Sequence, residues 1–236
     1  MKTIGLIGGM SWESSIEYYR IINQVIRKEL GGVHSAKSVM VSLDFAEIEE
    51  LQNRGDWDEA TRIMVETAQL VEKGGADFVL ICTNTMHLMA EEVQAGINIP
   101  LLHIADATAQ AVKQRDLEII GLLGTRFTME KEFYRGRLEE LHQLKVLVPD
   151  REKREQVHRV IYDELVQGKI TDGSRGIYRE VIDALVAGGA QGIVLGCTEI
   201  GLLVSQEDVT VPIFDTMEIH ALAAVDAALG RGEYPV

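Results

Sequence analysis

Two cysteines, Cys82 and Cys197, each stand in a run of small polar residues that follows an apolar stretch. The first run reads Leu80-Ile-Cys-Thr-Asn-Thr-Met-His87 and the second Leu195-Gly-Cys-Thr-Glu-Ile200. A free thiol is partly ionised near neutral pH, so it is a far better base than a hydroxyl. The threonines, the amide and the carboxylate beside it suit a small molecule that carries a carboxylate and an amine. Threonine and asparagine also cap helices, so either run alone reads equally well as a helix start. The cysteines have no C-x-x-C spacing and the six histidines are scattered, so no metal site is expected.

Such groups need elements to hold them. Short apolar strands, expected at 3–8, 38–43, 78–82, 101–104, 119–123, 145–148, 193–196 and 212–214, alternate with stretches of helical period at 14–29, 57–73, 130–142 and 175–186. That alternation predicts a parallel α/β architecture, in which ligands bind at the carboxyl ends of strands. The segment 45–55 reads as a loop entering a helix. Three landmarks recur in order: Ile4-Gly-Leu-Ile-Gly8 with Ile120-Gly-Leu-Leu-Gly124, Gly74-Gly-Ala76 with Gly188-Gly-Ala190, and Ile99-Pro100-Leu101 with Val211-Pro212-Ile213. They suggest two copies of one unit. The ungapped match places Thr83, not Cys82, opposite Cys197. Successive strand side chains alternate in direction, so Cys82 is expected to be an inert buried cysteine.

Composition narrows the function. With 236 residues, 46% hydrophobic and 25% charged, the chain has the make-up of a globular protein, and a formal charge of −14 argues against nucleic acid or anionic membranes as partners. No apolar run reaches the ~18 residues of a membrane span. Ile4–Ile7 is too short for a signal-peptide core, and a cytoplasmic protein is expected. Gly5-x-x-Gly8-Gly9 with Asp44 is a weak nucleotide-binding pattern, since its spacing is not G-x-G-x-x-G.

Gly8-Gly9-Met10-Ser11, Asn84-Thr85, Leu123-Gly-Thr-Arg-Phe-Thr128 and Gly196-Cys197-Thr198-Glu199 resemble the aspartate/glutamate racemase family, in the same order along essentially the whole chain. Met10–Ser15 and the Cys-Thr-Asn-Thr-Met-His string look like its broad-specificity or L-aspartate/glutamate-specific bacterial members. The resemblance implies two similar three-layer parallel-sheet α/β domains related by pseudo-twofold symmetry, with the active site in the interdomain cleft. It puts residues 1–98 plus 209–236 in the first domain and 99–208 in the second. It further implies a cofactor-independent amino-acid racemase with a small-molecule amino-acid substrate, no pyridoxal phosphate, metal or nucleotide, and a homodimer as the assembly common among relatives.

Most of that family uses one cysteine from each domain. Here Cys197 keeps one position and Thr83 stands at the other, so an unequal catalytic pair is expected, with L-enantiomers as the efficient entry. A helix opening after Cys197 is expected to lower its pKa. The resemblance marks Met10, Ser11, Asn84, Thr85, Thr198 and Glu199 as substrate-binding, with Gln52 and Thr125 as further candidates and His87 as a structural or capping residue. Aspartate-selective relatives hold the second carboxylate with basic side chains; the stretch 161–168 has none and offers Glu164. Neutral, homoserine-like amino acids therefore stay in the expected range, with Arg54 or Arg126 as substitute cations. A maleate isomerase or hydantoin racemase of related fold, and a noncatalytic amino-acid-binding protein, are the alternatives.

Overall fold

The computed structural model describes residues 1–231. It divides into two units, Met1–Ile104 with the segment from His220, and Ala105–Ile219. In the first unit run β1 (Ile4–Gly8), α1 (Trp12–Leu30), β2 (Ser38–Ser42), α2 (Phe45–Arg54), α3 (Trp57–Lys73), β3 (Phe78–Ile81), a 3-10 turn (Thr85–Met89) and α4 (Ala90–Ala95). Then follow α5 (Ile104–Lys113), β4 (Ile119–Gly124), α6 (Arg126–Glu130), α7 (Glu132–Gly136), a π turn (Arg137–Leu141), β5 (Lys145–Leu147), α8 (Arg151–Asp163), α9 (Asp172–Ala187), β6 (Gly192–Gly196), α10 (Ile200–Leu203), β7 (Ile213–Asp215) and α11 (Thr216–Ala228).

Both sheets are parallel, ordered β2-β1-β3 and β5-β4-β6-β7. All five residues of β1 and of β6 are buried, the pattern of strands covered on both faces. In the first unit Ile7, Val79 and Ile81 pack with Ala60, Met64, Ala68 and Val71, the apolar stripe of α3. In the second, Tyr178, Val181, Ile182 and Leu185 of α9 and Val157, Val160 and Ile161 of α8 pack with Leu123, Ile193 and Leu195. Asp56, Asp150 and Thr171 cap α3, α8 and α9 through their side chains, each contact contributing about 1 kcal/mol.

The repeat is carried by the ladders themselves. Ile7 pairs with Ile81 as Leu123 pairs with Leu195. Val79 N–H donates to Pro100 O as Ile193 N–H donates to Pro212 O, both at 2.9 Å. One half of the expected fourth strand is absent: Leu101 makes a single parallel bridge with Val79, and the chain turns helical at Ile104. These contacts also move the unit boundaries later than the expected 98/99 and 208/209, because residue 101 still bridges the first sheet and β7 pairs within the second. The helix expected over 130–142 is broken at Lys131, whose backbone is extended (φ −90°, ψ 148°). Among the described residues, no helix is long and apolar enough to cross a membrane.

Candidate active site

Cys197 follows the last residue of β6. Gly196 pairs with Gly124 on β4, and a side chain at either glycine would press on the neighbouring strand's backbone. The cysteine is 8% exposed, and its Sγ donates to Glu199 Oε2 at 3.0 Å. The same oxygen accepts the Thr198 hydroxyl at 2.8 Å. Asp215 approaches from β7, where it lies opposite Leu195, and its carboxylate accepts the N–H groups of Met217 and Glu218. Its Oδ2 lies against Gly201, where any β-carbon would collide with it. Thr216 Oγ1 ties this segment to Leu195 O at 2.7 Å.

The electrostatics correct one expectation. Burial, then the Glu199 charge and its hydrogen bond to the thiol, with a contribution from Asp215, push Cys197 well above the ordinary cysteine range. The Glu199 backbone N–H acts the other way and is outweighed. Only four residues of α10 follow, too short a helix for its dipole to offset the desolvation. The resting group is therefore a thiol held against a carboxylate, and its thiolate, once formed, is strongly basic. Burial likewise pushes Asp215 up to about 6.

At the other tip, Cys82 N–H donates to Ile7 O, so Cys82 still lies in the ladder, and its side chain is fully buried with its pKa raised by desolvation alone. Thr83 is the next residue and is partly buried. Thr83 and Cys197 thus each stand two residues beyond matching pairs of the two sheets, Ile7 with Ile81 and Leu123 with Leu195. The same register matches Asn84 with Thr198, Thr85 with Glu199 and His87 with Gly201. Asn84 and Thr85 are buried at the start of the 3-10 turn. His87 is buried too, with Nδ1 at 2.8 Å from Thr83 O and Nε2 accepting Ile104 N–H at 3.3 Å.

The Met10–Ser11 turn is built by glycine and serine. Gly9 has φ +92°, and a β-carbon there would collide with the Leu43 backbone. Ser15 Oγ accepts Gly9 N–H at 2.8 Å and donates to Ser11 O at 2.9 Å, pinning the turn from inside α1. Ser11 caps α1, and Met10 is buried beside Ile48 and Met86. The Met10–Ser11 peptide is cis.

The family model described as Asp/Glu/Hydantoin racemase matches residues 7–224. This chain belongs to that racemase family. A candidate Asp/Glu racemase from Yersinia pestis is 55% identical, with a TM-score of 0.91, over 97% of this chain and 100% of its own. An aspartate racemase homologue from Pyrococcus horikoshii is 34% identical, with a TM-score of 0.84, over 97% of this chain and 100% of its own. The broad specificity amino-acid racemase of Bacillus subtilis is 24% identical over 181 residues, 74% of each chain. The racemase described here is accordingly an isomerase of the pyridoxal-phosphate-independent class.

Cys197, Thr198 and Glu199 form one hydrogen-bonded cluster. Gln52 is not on a loop: α2 begins at Phe45, Gln52 is 6% exposed, and its Nε2 lies 3.2 Å from Met86 Sδ, beside the 3-10 turn after Thr83. Thr125 caps α6 through Thr128 N–H, at the tip of β4. Glu164 does not stand free, because its carboxylate accepts the hydroxyls of Ser174 and Thr171 at the start of α9. Of the two cations, Arg54 pairs with Glu50 and Asp56 on the surface. Arg126 lies over the Phe127 ring at 5.6 Å and makes no ion pair among the described residues. Asp215 and Ser15 went unmarked by sequence; only their positions, one at a strand end and one a turn after a glycine pair, hinted at them. No group of three or more His, Cys, Asp and Glu with metal-holding geometry occurs among the described residues.

Proposed function

We propose that this chain racemises amino acids by proton transfer at the α-carbon, with Cys197 and Thr83 serving its two faces. The contact of a buried thiol with a buried carboxylate, Cys197 Sγ to Glu199 Oε2, carries the reading. Glu199 takes the thiol proton and a thiolate forms, short-lived and strongly basic. The sulfur takes the α-proton from one face, leaving a planar carbanion. The Thr83 hydroxyl gives its proton to the opposite face and regains one from water, while Glu199 releases its proton to solvent. One proton leaves and one enters, so the ionisation of the enzyme is restored.

The pair is unequal. A threonine hydroxyl is a poor base, so the direction that begins at Thr83 is slow, and we assign the efficient direction to the L-enantiomer. The equilibrium stays near one to one, and the inequality is confined to rates. Aspartate or glutamate is the favoured substrate class. Arg126 at the tip of β4, which adjoins β6, makes no ion pair among the described residues, and the Glu164 carboxylate is turned to the hydroxyls of Thr171 and Ser174. A broader range that includes homoserine-like amino acids is compatible with the same site.

The test is solvent deuterium exchange at the α-carbon over a panel of L- and D-amino acids. Thr83→Cys is expected to raise the slow direction by about tenfold and the fast one by little, as a thiol replaces an alcohol. Tight binding without α-exchange would make the protein a binder rather than a racemase. Exchange confined to hydantoins or dicarboxylates without an amine would move it to the related isomerases.

A further inference from the structure

We infer that His87 is a positioning residue for Thr83, fixing the carbonyl of the same residue whose hydroxyl delivers the proton. The inference rests on the proposed use of Thr83. In a regular helix the His87 N–H would bond to Thr83 O. Here the turn is 3-10, the His87 N–H donates to Asn84 O at 3.1 Å, and the Thr83 carbonyl is left over. The His87 imidazole takes it instead.

The imidazole has one usable form. A carbonyl only accepts and a backbone N–H only donates, so Nδ1 carries the hydrogen toward Thr83 O and Nε2 is bare toward Ile104. Two further histidines hold the ring in place. His103 packs on it with centroids 4.5 Å apart, and His220 lies edge-on at 5.9 Å. His220 donates from Nε2 to Leu102 O, and its Nδ1 shares a hydrogen with the Tyr18 hydroxyl, each at 2.8 Å. Leu102 to Ile104 are thereby fixed, and Ile104 is the residue whose N–H reads Nε2.

The second unit argues that this is an addition specific to the threonine tip. Its matching position is Gly201, where an added β-carbon would meet the Asp215 carboxylate. The Cys197 carbonyl is bonded instead by backbone, from Ile200 N–H at 3.1 Å. One frame therefore carries a histidine at the alcohol tip and a carboxylate at the thiol tip.

The experiment follows the fast enantiomer in deuterium oxide and separates α-deuteration with retention from inversion. Retention needs Cys197 alone, and inversion needs Thr83 as well. His87→Ala should lower inversion by about tenfold relative to retention, because a small displacement of a proton donor costs that much or more. His87→Asn keeps a donor at the Nδ1 position and should restore the wild-type ratio. A proportional loss of both signals, an unchanged ratio in His87→Ala, or no recovery in His87→Asn would each overturn the inference. Should alanine at this site not fold, His87→Asn is compared with His87→Gln, which shifts the donor outward; only a lowered ratio in His87→Gln supports it. Thr83→Ala, run in parallel, separates the two claims. If it leaves inversion intact, the use of Thr83 fails whatever residue 87 does; if it abolishes inversion while residue 87 has no effect, only the role of His87 fails.

Discussion

Cys197→Ala is expected to lower racemisation by more than about 10³-fold from either enantiomer, while Cys82→Ala keeps activity within about threefold. The two thiols sit 115 positions apart by number (197 − 82) and differ in surroundings. Cys197 stands beyond the end of β6 with a carboxylate on its sulfur. Cys82 is enclosed, still bonded into the ladder, and its pKa is raised by desolvation, with no partner among the described residues to take its proton. On the proposed mechanism, removing the first deletes a proton carrier needed in both directions, since the group that abstracts in one direction donates in the other. Removing the second deletes a buried sulfur and costs about 1–2 kcal/mol of stability. Initial rates from each enantiomer by polarimetry, with a urea unfolding curve for each variant, check both. Equal loss in the two variants would sink the assignment of Cys197.

Glu199→Gln should pull activity and acidity apart. The Glu199 charge, and then its acceptance of the thiol hydrogen, raise the Cys197 pKa; the amide removes the charge and leaves only a weaker acceptor, so the thiol ionises at lower pH than in the native protein. Ordinarily a more acidic thiol gives more thiolate and a faster enzyme. Here the amide cannot take the proton, and a less basic sulfur is a weaker base toward carbon, so the rate at neutral pH should fall by about 10²-fold. The ultraviolet band of the thiolate, followed against pH beside the rate, checks the sign. A thiolate that appears at the native pH or later, or a rate that survives, would remove Glu199 from the proton path.

The tips were legible in the sequence for a physical reason. Strands buried on both faces are written as continuous apolar runs, and the Gly-Gly-Ala turns before β3 and β6 fix where each run begins. The count along each strand therefore already set Thr83 against Cys197. What escaped depends on distant partners. Residues 101–104 read as a strand, yet Leu102 O is claimed by His220, 118 positions away, and the chain turns helical at Ile104. Gln52 looked like a loop residue because 45–55 is rich in polar groups; its burial comes from α2, whose inward positions are Ile48 and Gln52, one turn apart. The acidity of Cys197 depends on features that the sequence does not show: the helix after it stops after four residues, and Asp215 folds in beside it.

The match of Thr85 with Glu199 limits what a single graft can achieve. A sulfur placed at residue 83 arrives without its acid, since the neighbour two residues on is an alcohol. On the proposed mechanism, Thr83→Cys together with Thr85→Glu is expected to bring the two directions closer in rate than Thr83→Cys alone, as initial rates from each enantiomer would show.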